Sequence, residues 1–303
     1  MELFETLWKD LEKDNRKNGE KEYTREQNFQ NFYVEKRGDV PVVRFSCFDA
    51  YADSMQAGFS TRFGGVSEGC FSSMNLGFGR GDKEDNVQKN YKRICHAMNV
   101  DYHNLVLSDQ VHDTRIKCVT KEDTCQEKIQ KKLQGIDGLV TNQENLVLAT
   151  SYADCVPLFF YDPIQNVVAS SHSGWRGTVG KIGAKTVALM QEQFHSCSED
   201  IIVLVGPSIC QDCYEVSKDL YDAFLEEYKK EVVDAVFSPS KKEKGKYHLD
   251  LWGANYYQLL EAGIKKENLH IAGICTCCHS ELFFSHRASQ GKRGNLNGFI
   301  TIK

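Results

Sequence analysis

The stretch that decides the fold is Tyr152-Ala153-Asp154-Cys155-Val156-Pro157-Leu158-Phe159-Phe160-Tyr161, followed after a short turn by Val167-Val168-Ala169-Ser170-Ser171-His172-Ser173-Gly174-Trp175-Arg176-Gly177-Thr178. Val156 to Tyr161 and Val167 to Ala169 are short apolar runs rich in β-branched and aromatic residues. Too short for buried helices, they read as strands covered on both faces. Past Gly174 the period changes. Val179, Ile182, Val187, Met190 and Phe194 recur at helical spacing and form one apolar stripe.

The same alternation continues outward. Upstream, Pro41 to Phe45, Leu105 to Leu107 and Leu146 to Thr150 read as strands. Asn86 to Met98 reads as a helix with Val87, Tyr91, Ile94 and Met98 on one face. Downstream, Ile201 to Val205 is a buried strand, Ser217 caps a helix reaching Lys229, and Leu249 to Ala262 is a helix closed by Gly263. Leu269 to Ile274 and Leu282 to Ser285 read as late strands. Lys121 to Gln134 is charged and reads as a solvated insertion. Strands and helices interleave without repeat or flexible linker, so a mixed α/β fold is expected. Residues 1–35 read as a charged, partly helical extension and 36–303 as a single catalytic domain.

Composition narrows the function. Apolar residues make up 41% and charged residues 26%, a globular profile. The net charge of -5 argues against nucleic acid, which demands clustered cations. No run approaches the ~20 apolar residues of a membrane span, and the charged N-terminus lacks a signal-peptide core. A cytoplasmic protein is expected, whose twelve cysteines are free, metal-bound or catalytic. Its oligomeric state, monomer or homodimer, stays open.

His112, Cys155 and His172 each end or interrupt an apolar run, where a sheet meets a loop. Two imidazoles and a thiolate suit zinc, or copper as the softer alternative. Three protein ligands leave a coordination position for water or substrate, which marks a catalytic centre. The gaps of 43 and 17 residues match no short metal motif, and on composition alone a buried cysteine with two core histidines is the leading reading.

Other stretches complete an ordered series: Ser60 to Ser67, Met74-Asn75-Leu76-Gly77, Gln110-Val111-His112, Asp137 to Thr141, Val205 to Ile209, Cys213 to Val216, Asp250-Leu251-Trp252 and Phe283-Phe284-Ser285. With Tyr152 to Pro157 and His172 to Thr178, this series resembles the YfiH/YlmD-type laccase-domain family over roughly residues 40–303. The resemblance implies a four-layer α-β-β-α sandwich with mixed sheets. It implies one zinc per chain on His112, Cys155 and His172, and phosphorolysis of purine nucleosides with adenosine deamination as a companion. Older naming of the family implies copper-dependent polyphenol oxidation. The sequence departs from the family pattern at Ser285-His286-Arg287-Ala288 and at Asn295-Leu296-Asn297-Gly298.

Around this centre, Arg62 before Gly64-Gly65 is expected to hold phosphate or ribose hydroxyls, and its removal to weaken phosphate use. Asn75 either hydrogen-bonds the nucleoside or turns the chain. Asp154 is a general base, an orienting partner or a buried structural carboxylate. Arg176 and Thr178, read just before a helix start, offer an anion site or an ordinary N-cap. A cysteine hydrolase with Cys155 as nucleophile is the alternative enzyme reading, and a non-enzymatic binding module the alternative outside enzymes. Cys210, Cys213, Cys275, Cys277 and Cys278 are expected as free thiols. A second, structural zinc would need four such ligands, and the resemblance supplies none.

Overall fold

The computed structural model describes residues 2–15, 32–126 and 128–303. Two large sheets lie face to face. The seven-stranded one runs Phe32–Arg37, Val40–Phe45, Met55–Ser60, Leu296–Ile302, Val147–Tyr152, Leu105–Asp109 and Leu133–Gln134. The six-stranded one runs Leu269–Ile271, Ile202–Val205, Val156–Asp162, Val167–Ser173, Gly138–Thr141 and Ile116–Cys118. Both mix parallel and antiparallel pairs.

The alternation of side chains explains the layers. In Val156–Asp162, Leu158 and Phe160 pack outward against helices, while Phe159 and Tyr161 enter the core between the sheets. Leu148, Val168, Leu204 and Ile300 meet them there. Val87, Tyr91, Ile94 and Met98 of helix Glu84–Met98 cover the larger sheet. Helices Ile182–Phe194 and Leu251–Glu261 cover the smaller one. The order helix, sheet, sheet, helix is the expected four-layer sandwich.

Several local expectations are corrected. Leu282 to Ser285 is buried but forms turns and irregular backbone, not a strand. The last strand is Leu296–Ile302, central in the larger sheet between Met55–Ser60 and Val147–Tyr152. Its Asn297 and Gly298 disguise it, since both residues are poor strand formers. The helical stripe after Gly174 is two helices, Trp175–Val179 and Ile182–Phe194, broken at Gly180-Lys181, where Lys181 has φ 56°. The stretch from Lys121 to Gln134 is more than a solvated insertion. Cys125 and Ile129 are buried, and Leu133–Gln134 adds a parallel edge strand. A second short helix, Lys230–Val236, follows Lys218–Glu227. Ser217 stands at the cap of Lys218–Glu227 without a side-chain capping bond.

The N-terminal helix Glu2–Asn15 inserts Phe4, Trp8 and Leu11 into the inter-sheet core. Lys36 pairs with Glu5 of this helix. Strand Phe32–Arg37 runs across residue 35. The rest of the lead-in, 16–31, lies outside the described residues.

Candidate metal centre

Strand Val147–Tyr152 belongs to the larger sheet and Val156–Asp162 to the smaller. The three residues between them carry the chain from one sheet to the other, and Asp154 takes the positive φ of 84° that this corner requires. Cys155 is thereby set at the end of both sheets. His172 lies near the end of strand Val167–Ser173, on the same sheet as the strand that follows Cys155. His112 comes from the loop after Leu105–Asp109, with φ 64°.

These elements bring the three predicted ligands together. Their donor atoms all lie within 4.8 Å of one another. Cys155 Sγ is 3.9 Å from His112 Nε2, and the two imidazole rings stand nearly perpendicular with centroids 4.8 Å apart.

Asp137 organises the group. Its carboxylate accepts the backbone N–H of Val111, His112 and Asp113 at 3.0, 3.0 and 3.1 Å, which sets the His112 loop. It also lies 2.9 Å from His172 Nδ1. A carboxylate with three other donors around it is an acceptor, so Nδ1 carries the proton and Nε2 is turned toward Cys155. Burial raises the Asp137 pKa, but these bonds outweigh it and bring the group below the ordinary carboxylate range. Asp137 is the main residue that reading the sequence missed as functional. In sequence it stands inside the Asp137 to Thr141 motif, and nothing local reveals that its partner is 35 residues away.

The electrostatics suit a cation. Burial pushes the Cys155 thiol up, but His172 and His112 outweigh it and hold the thiol at about 6. Burial lowers His172, while the thiolate and Asp137 bring it up to about 9. Thiolate and imidazolium therefore face each other, and a metal ion would take the place of the shared proton. The donor set fits a tetrahedral ion with one open position. Gly174 leaves the room: a Cβ there would stand 3.1 Å from both Cys155 Sγ and His112 Cδ2.

A cavity of about 380 Å³ opens beside this centre, and His112 and Cys155 line it. Arg80, Arg176, Arg287 and Arg293 line it. Arg293 is 9% exposed, its Nε has no hydrogen-bond partner among the described residues, and burial with Arg80 alongside lowers its pKa to about 10. It remains a cation at neutral pH. Arg287 lies over the Tyr214 ring at 5.3 Å. Neither Arg80 nor Arg293 sits in a motif, so the sequence carries no local sign of their role. His286, where the sequence departs from the family pattern, also lines the cavity.

The remaining predicted residues divide. Arg176 lines the cavity, with its guanidinium over the Trp175 ring at 4.2 Å. It lies inside helix Trp175–Val179, not before it. Thr178 is not the N-cap; Gly174 is, and Thr178 Oγ1 bonds back to the Gly174 carbonyl at 3.0 Å. Asp154 lines the cavity, yet its carboxylate accepts from Thr276 and Ser285 hydroxyls and the Arg287 N–H at 2.7, 3.0 and 2.7 Å. It ties the C-terminal loop to the cysteine corner.

Arg62 and Asn75 do not line the cavity. Arg62 donates to the carbonyls of Ser72 and Ser280 at 3.0 and 2.8 Å and lies over the Phe284 ring. Asn75 is fully buried, and its Oδ1 accepts from Gly77 and Asn295 N–H. Both brace the chain.

Residues 56–303 match the family described as multi-copper polyphenol oxidoreductase laccase. The chain is 39% identical over 249 residues to the purine nucleoside phosphorylase YlmD of Bacillus subtilis (strain 168), covering 82% of this chain and 88% of that one. It is 36% identical over 249 residues to the YlmD purine nucleoside phosphorylase of Geobacillus stearothermophilus, covering 80% and 89%. The crystal structure of the hypothetical protein YfiH of Bacillus licheniformis superposes with a TM-score of 0.83 at 33% identity, covering 90% of this chain and 100% of that one.

Proposed function

The chain belongs to the multi-copper polyphenol oxidoreductase laccase family, and from that premise we propose that it is a zinc-dependent purine nucleoside phosphorylase. The observation that carries the reading is the cavity. Two of the three ligands, His112 and Cys155, line it together with four arginines, and the chain's relatives are named purine nucleoside phosphorylases.

His112, Cys155 and His172 would hold the zinc, which when bound supplies Lewis-acid charge beside the cavity. The arginines bind the phosphate dianion through charge-assisted hydrogen bonds and carry it to C1′ of the ribose. Trp175 and Tyr214 offer aromatic faces for the purine. Asp137 keeps His172 oriented, and Asp154 keeps the C-terminal wall in place. Free base and ribose 1-phosphate leave. Adenosine deamination is the companion activity at the same centre, using water in place of phosphate. None of the twelve cysteines is in a disulfide, which suits a reducing cytoplasm.

Two imidazoles and a thiolate also suit copper, which supports phenol oxidation as a second reading. One experiment separates the two. Protein purified without added metal is incubated with inosine or adenosine, with and without phosphate. Equal amounts of free base and ribose 1-phosphate, formed only with phosphate, are expected. Base release independent of phosphate would mean a hydrolase. No nucleoside turnover, with oxygen uptake on phenols after copper loading, would overturn the proposal in favour of the oxidase.

A further inference from the structure

Away from this centre, two turns bring four sulfurs together. One follows strand Ile202–Val205 and holds Cys210 and Cys213. The other follows strand Leu269–Ile271 and holds Cys275 and Cys278. The two strands pair in parallel, and the pairing continues into the turns through the bridge between Ser208 and Cys275. Cys210 and Cys275 are 65 residues apart in sequence, and so are Cys213 and Cys278. The fold therefore superposes two Cys-x-x-Cys units.

All four sulfurs lie within 4.8 Å of one another. Cys213 Sγ is 3.4 Å and Cys210 Sγ 3.9 Å from Cys278 Sγ. These separations are far above the ~2.05 Å of a disulfide. They bracket the edge of a tetrahedron about a zinc ion, since Zn–S bonds of about 2.3 Å set sulfurs about 3.8 Å apart. Cys275 is buried, and its sulfur accepts two backbone N–H groups, from Cys210 and Cys278, both at 3.3 Å. Donors aimed at a sulfur favour its thiolate form, the form that binds metal. Cys277, one residue before Cys278, stands outside the group.

We propose that Cys210, Cys213, Cys275 and Cys278 bind a structural zinc ion, separate from the centre at His112, Cys155 and His172. Four thiolates close the coordination shell and leave no position for substrate. The ion staples the two turns whose neighbours build the cavity: Ile209 and Tyr214 line it from one turn. Arg287 lines it too and donates to the carbonyls of Cys213 and Glu215 at 3.0 and 3.1 Å. This service to the active site rests on the phosphorylase reading; the ion itself does not.

The test uses full-length protein purified under reducing conditions without chelator, with zinc counted per chain. Two zinc ions are expected in the parent protein and one in Cys155→Ala. Cobalt exchanged into Cys155→Ala should give intense thiolate-to-cobalt charge transfer and tetrahedral ligand-field bands, because the active centre of that variant has no thiolate left. Cys277→Ser should keep both ions and Cys278→Ser should lose one. Should Cys278→Ser fail to fold, the count and cobalt spectrum of Cys155→Ala still decide. One zinc in both the parent and Cys155→Ala would support this site while removing zinc from the active centre. Metal-free Cys155→Ala, a cobalt spectrum without thiolate bands, loss of an ion in Cys277→Ser, or iron with its own thiolate absorption would overturn the proposal.

Discussion

The two sulfur-bearing clusters differ in construction and in what each asks of the chain. His112, Cys155 and His172 come from three separate segments, the first two line a cavity, and an aspartate orients the third. The four cysteines come from two paired turns, and no carboxylate is needed to orient them because short backbone turns already do so. An open site needs partners that hold each ligand while leaving one position vacant. A closed site needs only its own ligands. The first arrangement serves reactivity and the second serves rigidity.

The largest expected effect tests that division. Cys155→Ala should reduce phosphorolysis by more than the ~10–100-fold that loss of an outer partner costs. Its Tm should move by less than about 4 °C, the shift of about 1 kcal/mol in a large domain. Cys278→Ser should behave the other way, with a markedly larger fall in Tm and kcat kept within about tenfold, or ~1.4 kcal/mol. Thermal scans and saturation kinetics on the same preparations check both. Equal Tm losses in the two variants would erase the distinction between a reactive and a structural site.

The next effect sharpens the account of the open site. Asp137→Asn keeps the size of the side chain but replaces one acceptor oxygen with a donor. That donor opposes the N–H groups of Val111, His112 and Asp113 or the proton on His172 Nδ1. Metal affinity or kcat should fall about 10–100-fold. Chelator competition and initial rates measure it. An unchanged affinity would mean that the three ligands hold their geometry without help.

How much of this was legible in the sequence differs between the clusters for a physical reason. The layers followed from short apolar runs alternating with helical stripes, because burial on both faces leaves that pattern. Strand Leu296–Ile302 escaped, since Asn297 and Gly298 are set by their neighbours and not by strand propensity: Asn297 Nδ2 donates to the Tyr91 hydroxyl, and a Cβ at residue 298 would stand 2.4 Å from the Phe159 ring. The open site has no diagnostic spacing, and only position at strand ends and family resemblance mark its ligands. The closed site has the better local signal, Cys-x-x-Cys twice, yet each pair alone is half a site. What joins them is the parallel pairing of two strands far apart in sequence, and no local pattern encodes that. Of the basic cavity wall, Arg176 stands in a readable motif, while Arg80 and Arg293 come from distant loops that carry no local signal.

Arg287 connects the two regions, reaching the cavity while donating to the carbonyl of Cys213. Arg287→Ala removes a cation from the cavity and a tie to the cysteine turn together. The KM for phosphate should rise by about tenfold or more, in line with the ~1.5–3 kcal/mol of a hydrogen bond to a charged group, and the zinc count should not change. A lowered kcat with KM unchanged would mean that Arg287 acts on the reacting geometry and not on phosphate binding.

Arg62→Ala should have the smallest catalytic effect, and it separates proximity in sequence motif from proximity in space. From the sequence, the arginine beside Gly64-Gly65 is the natural phosphate ligand. In the fold its Nε and Nη1 are given to the carbonyls of Ser72 and Ser280, and its guanidinium rests over Phe284 at 4.8 Å. Ser280 lies two residues past Cys278, so the side chain braces the loop that leaves the cysteine turn. Truncation to alanine leaves two carbonyls without their charged donor and removes the cation–π contact. About 1–3 kcal/mol of stability should be lost, with no ligand or cavity residue removed. The expected signature is a lower Tm, an unchanged zinc count and a KM for phosphate within about twofold of the parent, far from the tenfold rise that loss of a charged phosphate donor would bring. Phosphate titrations at fixed inosine, run beside a thermal scan, read both quantities. A raised phosphate KM with an unchanged Tm would move Arg62 back into the anion site and show that the cavity extends to the Gly64-Gly65 turn when substrate is bound.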